Sequence, residues 1–237
     1  MTDQERLKSA IENGEYVVFF GGAGVSTASG IPDFRGANGI FTAGRRFSAE
    51  QIVSSGFFYA HPKEFYDFYK SKMLYPNALP NRAHLKLAEL ESRGKVKAII
   101  TQNIDGLHQK AGSKNVIELH GSALRNYCLR CGKSFDLNYI VKSEGVPRCD
   151  KCGEIIKPDV VLYGEQLDET VLERAWEEVE KCDVLIVGGT SLSVYPAASF
   201  VYAFRGKTLV VINKTPTGAD ERASFVIRDD IAEAFDF

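Results

Sequence analysis

Three sets of residues in this 237-residue chain are typed and spaced for chemistry. The first is four cysteines in two pairs, Cys128-x-x-Cys131 and Cys149-x-x-Cys152, seventeen residues apart, each pair closing on a glycine (Gly132, Gly153). Thiolates at this spacing ligate one metal tetrahedrally and leave no coordination position open, so the pattern predicts a single structural Zn²⁺. Two redox dithiols are the competing reading, and no thioredoxin-like strand precedes either pair. The second set is the run Gly21-Gly22-Ala23-Gly24-Val25-Ser26-Thr27. Residues without a Cβ let backbone amides close on a phosphate, and Ser26 and Thr27 add hydroxyls. The third is polar residues gathered after apolar runs: Thr101-Gln102-Asn103-Ile104-Asp105, His120-Gly121, and Gly188-Gly189-Thr190-Ser191. Histidine is the side chain best suited to moving a proton near neutral pH, and His120 is the candidate for that work.

These residues need elements to hold them. Tyr16 to Phe20 is β-branched and aromatic, a buried strand running into the glycine turn. The turn departs from G-x-G-x-x-G, because Thr27 stands where the third glycine belongs. Pro32 should end the short helix after it, which places Phe34 and Arg35 just beyond. The stretch holding Gly36, Gly39, Gly44 and Arg45-Arg46 reads as a mobile loop over the turn. Further strands are expected over 97–100, 116–119, 159–162, 183–187, 208–212 and 224–227, alternating with helices over 3–13, 48–74, 84–94 and 168–181. Strands that alternate with helices and end in polar groups describe an α/β fold, a doubly wound parallel sheet of Rossmann type. Within it sits a smaller inserted part made of a helical module and a zinc ribbon. The expected boundaries are 1–35, 81–121 and 160–237 for the main domain, 36–80 for the loop and helical module, and 122–159 for the ribbon.

Composition narrows the partners. Lys and Arg total 29 against 31 Asp and Glu, so no general attraction to nucleic acid or membrane follows, and the ribbon segment lacks the interleaved basic and aromatic residues of a stacking platform. No apolar run reaches the length of a membrane span, and the amino terminus lacks a signal-peptide core. Cysteines used as ligands fit a reducing compartment, so a cytoplasmic protein is expected.

Taken together, GAGVSTASGIPDFRG, TQNIDGLH, ELHG, the paired C-x-x-C motifs, KPDVVLYGE, GGTSLSVYPAA and Ile212-Asn213 resemble the sirtuins, the NAD-dependent protein-lysine deacylases, in the family's order and over nearly the whole chain. The resemblance implies NAD as co-substrate, with Ala23, Gly24 and Thr27 at the pyrophosphate, Thr190 and Ser191 at phosphate and ribose, and Asn213, Asp230 and Ile231 at the adenosine. It places Gln102, Asn103, Ile104 and Asp105 at the nicotinamide and its ribose, Phe34 and Arg35 over the site, and His120 as general base beside Asn103. Val160, Val161, Leu162, Tyr163 and Gly164 resemble the segment that pairs with an extended acyl-lysine peptide. Implied products are nicotinamide, free lysine and O-acyl-ADP-ribose. Sirtuins that prefer acidic acyl groups carry Tyr and Arg three residues apart, and Tyr66 is followed here by Tyr69, so uncharged acyl groups such as acetyl are expected. Gly21 stands where the family often has Thr. Protein mono-ADP-ribosyl transfer and a non-catalytic NAD-sensing interaction module are the alternatives.

Overall fold

The computed structural model describes residues 1–34, 40 and 47–237. Six strands form a sheet in the order β3-β2-β1-β7-β8-β9: β1 Val17–Gly21, β2 Val96–Thr101, β3 Val116–Glu118, β7 Val184–Gly188, β8 Thr208–Ile212 and β9 Phe225–Ile227. All pairings are parallel. Helices Glu169–Lys181 and Ala197–Ala203 cover one face through Ala175, Val179, Phe200 and Val201. Helices Asp3–Asn13 and Arg82–Ser92 cover the other through Leu7, Ile11, Leu87 and Leu90. Burial on both faces is why β1 and β7 are apolar without alternation. The chain turns to opposite sides of the sheet after β1 and after β7, so the crevice beyond their carboxyl ends is the switch point where such sheets take ligands.

The two turns at that point touch backbone to backbone. Gly22 N–H donates to the Gly188 carbonyl at 3.1 Å and Gly24 N–H to the Gly189 carbonyl at 2.8 Å. A Cβ on Gly24 would lie 2.7 Å from Gly189 Cα, and one on Gly189, whose φ is +60°, would lie 2.5 Å from Val25 N. After the turn the chain forms a 3₁₀ helix, Ala23–Ser29, instead of the α-helix usual in dinucleotide folds. Side chains hold it: Thr27 Oγ1 donates to the Gly24 carbonyl at 2.9 Å, and Asn81 Nδ2 donates to the Val25 carbonyl at 2.8 Å and to Ser29 Oγ at 3.0 Å.

The inserted segments pack on one common core. Strands β4 Gly121–Cys128, β5 Ser134–Asp136 and β6 Ile156–Val160 form a separate antiparallel sheet in the order β5-β4-β6. Helices Ser55–Ala60 and Pro62–Lys72 set Phe57, Phe58, Phe65, Tyr66 and Tyr69 against Cys128, Cys149, Ile156 and Val160. One expectation shifts here. The strand expected at 159–162 in the main sheet is instead β6, which pairs with β4 because Ile156 and Val160 bury their side chains in the small core. The glycine-rich stretch 36–46, apart from Ile40, lies outside the described residues.

Sγ atoms of Cys128, Cys131, Cys149 and Cys152 all lie within 4.8 Å of one another, with nearest separations of 3.3 and 3.6 Å. Thiolates around one Zn²⁺ at about 2.3 Å sit roughly 3.8 Å apart along a tetrahedral edge, so the four residues fit the ion. It would fasten two knuckles to the core that also buries Tyr66 and Tyr69.

Two outcomes follow from this packing. Gly189→Ala should lower the unfolding midpoint well beyond Gly30→Ala in urea titrations: both residues have positive φ, costing ~1–2 kcal/mol for a side chain, but a Cβ on Gly30 meets nothing within 4 Å. Equal losses would contradict the contact. Stripping metal with a chelator should release one zinc per chain, read colorimetrically, and open the ribbon to proteolysis between Cys131 and Cys149; protease resistance unchanged after zinc release would show that the core stands without the ion.

Candidate functional site

Polar groups converge where the strands end. Gln102 N–H is held by the Gly21 carbonyl at 3.0 Å, and its Nε2 donates to Thr190 Oγ1 at 3.0 Å, tying the β2 end to the β7 turn across β1. Ser26 is buried between two members of the Gln102–Asp105 run: its hydroxyl donates to Asp105 Oδ2 at 2.6 Å and accepts from Asn103 Nδ2 at 3.1 Å. Asp105 Oδ1 takes the Leu107 N–H at 2.9 Å. The sequence marks Ser26 only as a spare hydroxyl, whereas the fold makes it the link that fixes both the amide and the carboxylate. No local signal shows this, because Ser26 and Asp105 are 79 residues apart.

His120 follows β3 and opens toward β4. Its Nδ1 lies 3.0 Å from the Gln102 carbonyl. A carbonyl only accepts, so Nδ1 carries the proton and Nε2 is left as the basic nitrogen. Burial pushes the imidazole below its ordinary value of 6.5, and the Gln102 carbonyl partly opposes that shift. Gly121, at φ +73°, lets the chain pass β6 so closely that a Cβ would strike the Asp159 carbonyl. The His120 carbonyl in turn accepts Val161 N–H at 3.1 Å, so the histidine is joined by its backbone to the segment beyond β6.

A pair of histidines lies behind this cluster. His84 and His108 are wholly buried, with ring centroids 4.7 Å apart. Asn81 N–H reaches His84 Nδ1 at 3.3 Å, which puts the His84 proton on Nε2. Burial lowers His84 to about 4, against the pull of the Asp105 charge, and lowers His108 to about 3, helped by His84. Both are neutral at pH 7 and belong to the packing of the Arg82–Ser92 helix on the sheet, which adds a reason for the sequence reading of His84 as a helix residue.

At the far side of the crevice, Asn213 follows β8; its Nδ2 donates to the Thr215 carbonyl at 2.8 Å. Asp230 caps the helix Ile231–Ala234 through Ala232 N–H at 2.9 Å and pairs with Lys214 Nζ at 2.8 Å. Ile231 is buried against Gly188, where a Cβ would meet its Cδ1. Ala23, Gly24 and Thr27 are half-buried along the crevice, Thr190 is buried and Ser191 exposed. Phe34 is half-buried after the 3₁₀ helix, and Arg35 lies outside the described residues. Glycine backbone with no room for a Cβ, flanked by Thr190 and Gln102, is the cradle a dinucleotide phosphate needs, so these residues fit NAD.

Val160 to Gly164 leave β6, the edge of the small sheet, and continue as an irregular segment. Tyr163 N–H donates to the Val53 carbonyl and its own carbonyl accepts Ser55 N–H, each at 3.0 Å. Tyr66 donates its hydroxyl to the Ile156 carbonyl, and the Tyr69 hydroxyl is buried with no hydrogen-bond partner among the described residues. Among the described residues, no helix is long and apolar enough to cross a membrane.

Comparison with known proteins agrees with this arrangement. The profile of the Sir2 family matches residues 22–196. An NAD-dependent protein deacetylase of Clostridium perfringens is 59% identical over 231 residues, covering 96% of this chain and 95% of the relative. One from Staphylococcus epidermidis is 42% identical over 236 residues, covering 99% and 96%. Among solved structures, a Sir2–p53 peptide–NAD⁺ complex superposes with a TM-score of 0.87 at 40% identity, covering 99% of this chain and 96% of that one. A Sir2 homolog–NAD complex gives 0.88 at 42% identity, covering 98% and 91%. With six parallel strands, a four-cysteine ribbon and a glycine cradle at the switch point, the chain belongs to the Sir2 family.

Proposed function

We propose that the protein removes acetyl or other uncharged acyl groups from protein lysines at the expense of NAD, giving nicotinamide, free lysine and O-acyl-ADP-ribose. The observation that carries this reading is the fixed tautomer of His120, a neutral imidazole with a basic Nε2 at the mouth of a dinucleotide cradle. NAD supplies an electrophilic ribose carbon, a nicotinamide leaving group and the hydroxyls that receive the acyl group. Ala23, Gly24, Thr27, Thr190 and Ser191 would hold its phosphates and ribose, and Asn213, Asp230 and Ile231 the adenosine end. Gln102, Asn103, Ile104 and Asp105 line the nicotinamide side, with Asn103 and Asp105 oriented by Ser26. His120 Nε2 takes a proton from a ribose hydroxyl, which its Nδ1–H anchor leaves it free to do. By the resemblance, Phe34 and Arg35 would shield the reacting carbon, which excluding water protects. Val160 to Gly164 receive the peptide. With Tyr69 where a guanidinium would pair an acidic acyl group, the site favours uncharged ones. Zn²⁺ on Cys128, Cys131, Cys149 and Cys152 is structural, since all four ligands come from the chain.

Incubating an acetyl-lysine peptide with the protein and NAD should yield, by mass spectrometry, equal amounts of deacetylated peptide and O-acetyl-ADP-ribose. His120→Ala should abolish both, a loss on the order of 10²–10⁴-fold. Nicotinamide release with the peptide unchanged would instead indicate ADP-ribosyl transfer, and binding of NAD without turnover of any acyl peptide would indicate a sensing module. The pH profile gives an independent check. Because His120 is held below 6.5 in the folded protein, its basic form persists as pH falls past that value, so kcat/KM should stay level through pH 7 and drop only below pH 6.5. A midpoint above 7 would remove His120 as the base.

A further inference from the structure

The segment from Val160 to Gly164 is closed at its base by two side chains outside it. Lys157 Nζ lies 3.0 Å from the Val160 carbonyl, 3.4 Å from the Pro158 carbonyl and 3.1 Å from Glu165 Oε2. The same Glu165 oxygen accepts Leu162 N–H at 2.9 Å, while Glu165 N–H donates to the Leu162 carbonyl, also at 2.9 Å. Among the described residues most ion pairs are solvated, as Lys63–Asp67 is at 73% and 56% side-chain exposure; Lys157 and Glu165 are at 17% and 26%. Water therefore screens this pair less, and removing either charge leaves the other half-buried without a counter-ion.

We propose that Lys157 and Glu165 are a positioning pair that sets the shape of residues 160–164 before an acyl-lysine peptide arrives, and so governs KM for the peptide. The inference rests on the reading of that segment as the peptide-binding one. With the pair intact, the Val160 and Leu162 carbonyls and the Leu162 N–H are all occupied from within. The Val161 N–H is held by His120, and Tyr163 is held by Val53 and Ser55. Among the described residues, what stays open for an added strand is the Val161 carbonyl and both backbone groups of Gly164. Losing the ammonium strands the Val160 carbonyl, frees the carboxylate to swing to water and releases Leu162 N–H. The segment then loses its internal ties at both ends, and the peptide must order it on binding.

The test compares Lys157→Met, Glu165→Gln and Lys157→Arg with the parent, measuring peptide KM, NAD KM and kcat, together with hydrogen exchange of residues 160–164 in the parent with and without acetyl peptide. Peptide KM should rise about tenfold in Lys157→Met and Glu165→Gln while kcat and NAD KM change by less than about twofold, with Lys157→Arg recovering most of the affinity. If peptide protects 160–164 in the parent but KM is unmoved in the variants, the positioning role is wrong. If kcat and both KM values deteriorate together and Lys157→Arg does not recover them, the pair merely supports the fold and the proposal fails. If peptide leaves 160–164 unprotected in the parent, the peptide-binding reading itself falls, and the pair's role falls with it.

Discussion

The crevice depends on a contact between two backbones. Gly24 and Gly189 approach until neither could carry a Cβ, and the hydrogen bonds of Gly22 and Gly24 to the 188–189 carbonyls hold that distance. Glycine at both places is what allows the 3₁₀ turn after β1 and the turn after β7 to close side by side at the switch point. The polar groups at the ends of β1, β2 and β7 take their positions from this clasp. Gln102 reaches Thr190 because the β7 turn is drawn in, and Ser26 reaches Asp105 and Asn103 because the 3₁₀ helix starts where the clasp puts it.

The small domain extends that order to the histidine. Its aromatic core spans the helical module and the ribbon, so the four thiolates and the rings of Phe65, Tyr66 and Tyr69 stabilise one body. Strand β4 of that body begins at the residue after His120, and the His120 carbonyl is bonded to Val161 beyond β6. The catalytic candidate thus sits at the junction: its ring is anchored on the main domain through Gln102, and its backbone on the small one. An ion pair network of Arg125 with Glu118 at 2.8 Å and Asp159 at 2.7 Å brackets the same junction from the surface side.

Much of this was legible in residue types alone, and the reasons are local. The apolar runs at β1, β2, β7 and β8 have no alternation because both sheet faces are covered, which a sequence displays directly. The cysteine pairs give a metal site at a spacing that little else produces, and the strand-end runs around Gln102, His120 and Thr190 mark the crevice. What was not legible depends on contacts distant in sequence. Strand β6 reads like a main-sheet strand, since its Ile156 and Val160 would be apolar in either sheet; only the pairing with β4 assigns it. The helix after β1 is 3₁₀ because Asn81, far along the chain, holds two of its oxygens.

By itself, then, the sequence determined the kinds of element, the ligand set for zinc and which side chains are chemically competent, because apolar period, cysteine spacing and glycine at turns are properties of neighbours. Only the tertiary structure decided which nitrogen of His120 is basic, what fixes Asp105 and which backbone groups of 160–164 remain open. Those are settled by hydrogen bonds, of His120 to Gln102, of Ser26 to Asp105, and of 160–164 to His120, Val53 and Ser55, between residues that the chain brings together only on folding.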